Sequence, residues 1–364
     1  MFVYFLTFGI SFLFAYCANR YKKNKTIFVL FSGIAILCPS ILAGFRSKGI
    51  GTDTNGYINF VFNDCLQLKD FGELIKYIKI SEVESLFVLV DYIITRFTNV
   101  VNYSYFVFEF IILLFVYLAA YKFDERTFYF SYLFFLILFF NRSLNMCRQT
   151  LALVIVLFNF SNIREKNIIK FIFWTCIAIL FHKTAIISIV CYPLYNYIFN
   201  FEKPIFRKLV SVLLVVIGVY FFNNIFNLLH SYGIVNSKYL VYLTNTSSTV
   251  SNMELMLKIT VIIIEILIYK NYIEIKQENE FLVYMFIIGS LLSLLGMKIS
   301  FGQRLSYYFT YYIIFFLSNF YEVFKGKKQK FFILTLTLVV VLGYSYMGYG
   351  VLNWDQTVPY KVII

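Results

Sequence analysis

Most of what a soluble enzyme would carry is missing from this sequence. It has no Asp-x-Asp, no His-Glu-x-x-His, no Gly-x-Ser-x-Gly and no glycine-rich loop followed by Lys-Ser/Thr. Hydrolase, metalloprotease and NTPase chemistry therefore have no support. Charge is scarce: Asp, Glu, Lys and Arg make up 14% of 364 residues, and there are two histidines. The six cysteines are scattered, four of them (Cys17, Cys38, Cys176, Cys191) inside apolar runs, with no Cys-x-x-Cys pair and no His at ligand spacing. That argues against a disulfide framework and against a structural metal. No small-residue cleavage site follows the first apolar run, which leads instead into Tyr21-Lys22-Lys23-Asn24-Lys25, so it reads as a retained span. No internal repeat suggests the inverted halves of many transporters.

What is present is apolar. Hydrophobic residues make up 60% of the chain, the mean hydropathy is +0.76, and apolar runs of about 18 residues or more recur along the whole length. The expected fold is an all-α, polytopic integral membrane bundle, one transmembrane domain over 1–364. Candidate spans lie at roughly 2–18, 26–44, 103–121, 128–141, 150–163, 168–181, 184–200, 209–229, 255–272, 281–297, 303–321 and 331–348, twelve in all. A weaker run, 85–98, contains Asp91 and Arg96 and reads as re-entrant or interfacial. A net charge of +13 would suggest nucleic acid in a soluble protein. Here the bilayer accounts for it, because Lys and Arg accumulate in cytoplasmic loops, and no nucleic-acid partner is expected. Arg20, Lys22, Lys23 and Lys25 put the first loop inside and the N-terminus outside. The loops holding Arg164 and Lys166, Lys203 and Arg207, Lys270 and Lys276, and Lys325 to Lys330 follow on the inner side.

The other face then collects the chemistry. Outer loops 45–102 and 230–254 are expected to carry motifs or substrate contacts, with the turns 142–149 and 182–183 and the patch 298–304. Two of the flanking spans are short, and fourteen residues reach about 21 Å against a hydrocarbon core of about 30 Å, so His182 should sit below the outer surface in a cavity that opens outward. Arg46, Lys48, Thr52, Asp53 and Tyr57 surround Gly49-Ile50-Gly51-Thr52-Asp53-Thr54, a turn that could bring backbone N–H groups to an anion beside a bidentate arginine. The plainer alternative is a polar loop with Arg46 reaching to head groups. Arg142, Arg148 and Gln149 lie in Asn141-Arg142-Ser143-Leu144-Asn145-Met146-Cys147-Arg148-Gln149, which interrupts an apolar hairpin with two cations and three amides. His182 with Lys183 ends another apolar run and is a candidate for proton transfer or for binding a sugar hydroxyl; Glu82 or Glu84 could bring a carboxylate. Gln303 and Arg304 repeat the Arg-plus-amide theme.

Arg46, Gly51, Thr52, Asp53, Thr54 and Tyr57, then Glu84, Arg148-Gln149, Phe181-His182 and Arg304 together resemble the pattern of the EpsG family, bacterial membrane proteins related to Wzy-type polymerases of surface polysaccharide. Trp354 and Pro359-Tyr360 are similar to a C-terminal pattern of the same family. Lys183 departs from it, standing where small or hydroxyl residues are common. The resemblance implies a membrane glycosyltransferase at the outer face of the bacterial cytoplasmic membrane. Its substrate would be an oligosaccharide repeat unit on undecaprenyl diphosphate, and a chain-length regulator would be a candidate partner. Arg46, Arg148 and Arg304 would meet the diphosphate without metal or cofactor. His182, Asp53 or Glu84 would act as base. Two other classes share the span count. A flippase for lipid-linked sugars should line both faces with polar groups, and a membrane O-acyltransferase should turn its key residues inward.

Overall fold

The computed structural model describes residues 1–52, 54–199, 204–232, 251–297 and 302–362. Helix accounts for 83% of it, with no strand among the described residues. The helices are α1 (Phe2–Arg20), α2 (Lys25–Gly44), α3 (Asn59–Gln67), α4 (Phe71–Ser81), α5 (Ser85–Thr95), α6 (Asn102–Phe123), α7 (Phe128–Asn145), α8 (Cys147–Arg164) and α9 (Ile168–Phe181). They continue with α10 (Ile205–Tyr220), α11 (Phe222–Ser231), α12 (Asn252–Ile275), α13 (Asn279–Ser293), α14 (Gly302–Thr310), α15 (Ile313–Asn319) and α16 (Lys327–Ser345).

Among the described residues five helical segments are long and apolar enough to cross a membrane: Phe2–Arg20, Lys25–Gly44, Asn102–Phe123, Asn279–Met297 and Lys327–Val351. Large apolar side chains stand exposed on them, Phe2, Leu13, Val29, Phe331 and Val339 among others. In water such a surface would be an aggregation liability; in lipid it is the solvent-facing side. By contrast α5 has eleven residues, about 16 Å of rise, too short to cross. It buries Phe87, Val88, Asp91 and Ile94, and Asp91 accepts a 2.6 Å hydrogen bond from Ser104.

The chain packs as two compact units: Met1–Ser161 with Ile169–Ile186 and Leu317–Ile364, and Asn162–Ile168 with Ile187–Phe316. In the first, α7 is the centre, buried from Phe128 through Leu144 apart from Tyr129 and Phe130. The spans expected over 209–229 and 303–321 are each split in two, into α10 and α11 and into α14 and α15, and two further segments differ from the sequence expectation. The apolar run expected to stop at 141 stays helical to Asn145, and the break narrows to Met146 (φ −94°, ψ 48°). The polar residues stay helical because their side chains find hydrogen-bond partners inside the unit, with Asn141 Oδ1 alone of this group left without one among the described residues. Ser143 donates to Glu109 (2.8 Å), Asn141 to Thr357 (2.8 Å) and Asn145 to Asp355 (2.9 Å). The span expected over 184–200 is a succession of 3₁₀ and π turns over 183–198, with only Cys191–Pro193 α-helical.

In the second unit, Lys208 donates to Glu280 (2.6 Å), which also accepts from Tyr269 (2.5 Å), and Arg164 pairs with Glu278 (3.1 Å). These bonds tie together the ends of three segments whose Lys and Arg the sequence assigns to one side of the membrane. Gln303 donates to Glu254 (2.5 Å), which also pairs with Lys258 (2.8 Å), at the other end of α12.

Candidate functional site

The carboxylate that organises the first unit comes from a helix junction. Helix α4 ends at Glu82 in the left-handed region (φ 56°), and two residues later Glu84 takes up extended backbone (ψ 134°) as the residue that opens α5. Its backbone oxygen receives Val88 N (3.2 Å). The side chain is thereby free to turn away from its own helix. Of the two glutamates the sequence leaves open, Glu84 is the buried one, and Glu82 offers its backbone carbonyl to Lys183 Nζ (3.3 Å).

Glu84 is shared. One oxygen, Oε2, receives Arg148 Nη1 at 2.6 Å; the other, Oε1, lies 2.9 Å from His182 Nδ1 and 3.4 Å from the backbone N of Lys183. Arg148 is the second residue of α8, carried there by the break at Met146, and its guanidinium lies 3.7 Å from the centroid of the Tyr57 ring. His182 terminates α9, its backbone N donating to Ala178 O and its O receiving Ala185 N, both at 2.9 Å. Segments far apart in sequence thus meet on one carboxylate, which is 7% exposed, with Arg148 at 16% and His182 at 18%.

Burial favours the neutral form of Glu84, but the hydrogen bond from His182 and the charges of Arg148 and His182 outweigh it and hold the carboxyl down to about 2. A carboxylate on the Nδ1 side makes that nitrogen the donor, so Nε2 carries the lone pair and can accept a proton. A folded value below the ordinary one means stability that is complete above about pH 4.5 and is lost as the pH falls toward 2. The detergent-solubilised protein should therefore lose melting temperature across that window more steeply than Glu84→Gln. At neutral pH, Glu84→Gln should itself be destabilised by about 3 kcal/mol, because it leaves Arg148 without its buried counter-ion.

The glycine turn lies alongside, in the same unit. Gly51 adopts φ +83°, and a Cβ there would stand 2.7 Å from Leu144 O, so the position requires glycine. The sequence suggests N–H groups turned toward a ligand. Instead Ile50 N donates to Ser47 O, Gly51 N to Gln356 O and Thr54 N to Gly51 O, each at 3.2 Å. Thr52 is exposed and donates to Asn145 Oδ1 (2.8 Å); Lys48 is exposed on the same loop. Asp53 lies outside the described residues.

Arg46 neither faces solvent nor reaches to head groups. It is 1% exposed, stacks over Tyr105 at 4.5 Å and donates through Nη2 to Leu144 O at 3.3 Å, while Nε and Nη1 have no partner among the described residues. Arg142 pairs with Asp355 (3.5 Å), and Gln149 is buried. Gln303 and Arg304 belong to the second unit, the first buried against Glu254 and the second exposed. Asp355 was not singled out by sequence reasoning, although it is the sole acidic residue after Glu322.

A helical membrane protein of this kind concentrates paired cations, a carboxylate and a histidine at the ends of its apolar helices, an arrangement suited to an anionic, hydroxyl-bearing ligand. The chain belongs to the EpsG family, whose sequence signature matches residues 29–362, nearly its whole length. No curated protein and no solved structure matches it.

Proposed function

We propose that this protein is a polymerase of bacterial surface polysaccharide (capsule, exopolysaccharide or O-antigen). It would transfer a growing glycan from undecaprenyl diphosphate to a lipid-linked repeat unit at the outer face of the cytoplasmic membrane, with its N-terminus outside and about twelve membrane passages. The observation that carries the proposal is the sharing of Glu84 between Arg148 and His182. One carboxylate orients a proton acceptor and, one bond away, a guanidinium. The acceptor sugar's hydroxyl oxygen forms the new bond to the donor's anomeric carbon while the bond to the diphosphate breaks. The hydroxyl proton goes to His182 Nε2, and undecaprenyl diphosphate leaves as the anion. Arg148 makes one hydrogen bond among the described residues, to Glu84, so its remaining N–H groups are available for the diphosphate, with Lys183 and Lys48 adding charge. Tyr57, stacked on Arg148, fixes the plane of the guanidinium. Arg46 is assigned to holding the glycine turn, Asp53 remains a candidate second base, and Gln303 and Arg304 remain candidate substrate residues.

Deleting the protein should make cells accumulate single repeat units on their lipid carrier at the outer face. A flippase defect would leave the same lipid on the inner face, and an acyltransferase defect would leave polymer length unchanged. Orientation is tested separately. A cysteine introduced at Lys48 should react with a membrane-impermeant maleimide in intact cells, and one at Lys328 should not. Labelling at 328 from outside would overturn the assigned topology and the outward-facing site with it.

A further inference from the structure

The last described segment folds back onto the glycine turn. Tyr4 donates to Thr357 O (2.8 Å), Tyr360 to Leu42 O (2.7 Å), and Ser47 N to Lys361 O (2.8 Å), while the Trp354 ring packs against Tyr344 and Tyr349. These contacts fix the place of Asp355. Its Oδ1 accepts from Asn145 Nδ2 (2.9 Å) and its Oδ2 faces Arg142 Nε (3.5 Å), with both side chains nearly buried.

A carboxylate can only accept, so Asn145 must turn its NH₂ toward Asp355 and its oxygen the other way. That oxygen receives the Thr52 hydroxyl at 2.8 Å. The Thr52 proton is thereby committed inward, and the exposed side of its oxygen presents lone pairs alone. A phosphate oxygen would find no donor there; a sugar hydroxyl would find an acceptor.

We infer that Asp355 is a positioning residue for substrate recognition: acting through Asn145, it makes Thr52 an acceptor for a hydroxyl of the repeat-unit sugar. The inference rests on the proposed lipid-linked substrate and assigns Thr52 to the glycan and not to the diphosphate. Asp355→Asn keeps the shape but can donate or accept, so the direction of the chain is no longer imposed.

The test is binding, which needs no turnover. The probes are the lipid-linked repeat unit accumulated by cells lacking the protein, and sugar-free undecaprenyl diphosphate, each titrated by thermal shift against full-length protein in detergent. Asp355→Asn should bind the sugar-bearing lipid about tenfold more weakly, the scale of one hydrogen bond, and bind undecaprenyl diphosphate as the unsubstituted protein does. Thr52→Val should show the same selective loss, and adding Asp355→Asn to it should cost nothing further, because the two act in one chain. A merely structural Asp355 would weaken both lipids alike and multiply with Thr52→Val. Equal binding of the sugar-bearing lipid by Asp355→Asn and the parent would also overturn the inference. If the parent binds the sugar lipid selectively yet never lengthens glycan, the polymerase proposal fails and the Asp355 assignment stands.

Discussion

His182→Gln should abolish chain growth while leaving the protein abundant and able to bind its lipid-linked donor. Glutamine can still donate a hydrogen bond to Glu84, which His182 reaches at 2.9 Å, and is close in size. It cannot accept a proton at neutral pH. Loss of a general base costs on the order of 10²–10⁴ in rate, so single repeat units should replace polymer on the carrier. The backbone bonds that place His182, to Ala178 and from Ala185, do not involve its ring, so the turn after α9 should survive. The checks are a gel of lipid-linked products, an immunoblot for abundance, and the donor-lipid thermal shift. Near-normal polymer from His182→Gln would remove the histidine from the chemistry. The base role would then pass to Asp53, and Asp53→Asn would be the variant to make.

The parts of this site were legible separately; their meeting was not. Arg148 and Gln149 stood out because they break an apolar hairpin, and His182 because a rare ionisable residue closes an apolar run. Hydropathy says where a residue lies along the membrane normal but not which helix it faces. The family pattern groups Glu84 with Arg148 and His182, 64 and 98 residues on, but neither it nor hydropathy announces that the carboxylate touches both. Arg46 shows the same limit from the other direction. An arginine beside a glycine turn suggests an anion site, yet a neighbouring ring, Tyr105, and a helix-end carbonyl, Leu144 O, enclose it. The extent of α7 was misjudged because polar side chains usually mark a helix end. Here Glu109, Thr357 and Asp355 answer them from helices or strap segments distant in sequence. A signal for Asp355 did exist: one acid after Glu322, beside Trp354, in a tail otherwise cationic and apolar.

Arg148→Lys should be nearly as damaging as Arg148→Ala for polymer formation, and this separates a role in binding diphosphate from one in simple charge balance. Lysine retains a cation for Glu84, so the buried carboxylate keeps a partner and abundance should hold. Arg148→Ala strands the carboxylate and should lower the melting temperature as well. What lysine cannot do is lie flat on Tyr57 at 3.7 Å while one nitrogen holds Glu84 at 2.6 Å and others point at a second anion. An ammonium presents its three donors from a single point, whereas the guanidinium spreads five around a plane. For Arg148→Lys the expected result is a loss of at least tenfold in chain growth, with weaker binding of undecaprenyl diphosphate itself and an unchanged melting temperature. Tyr57→Leu, which keeps apolar bulk and removes the ring, should reproduce part of that loss, since stacking on an exposed ring contributes about 0.5–1 kcal/mol. Full-length polymer from both Arg148→Lys and Arg148→Ala would reduce Arg148 to a counter-ion for Glu84. The diphosphate would then need another cation, and Lys183, whose backbone N lies 3.4 Å from the same carboxylate, is the next to replace.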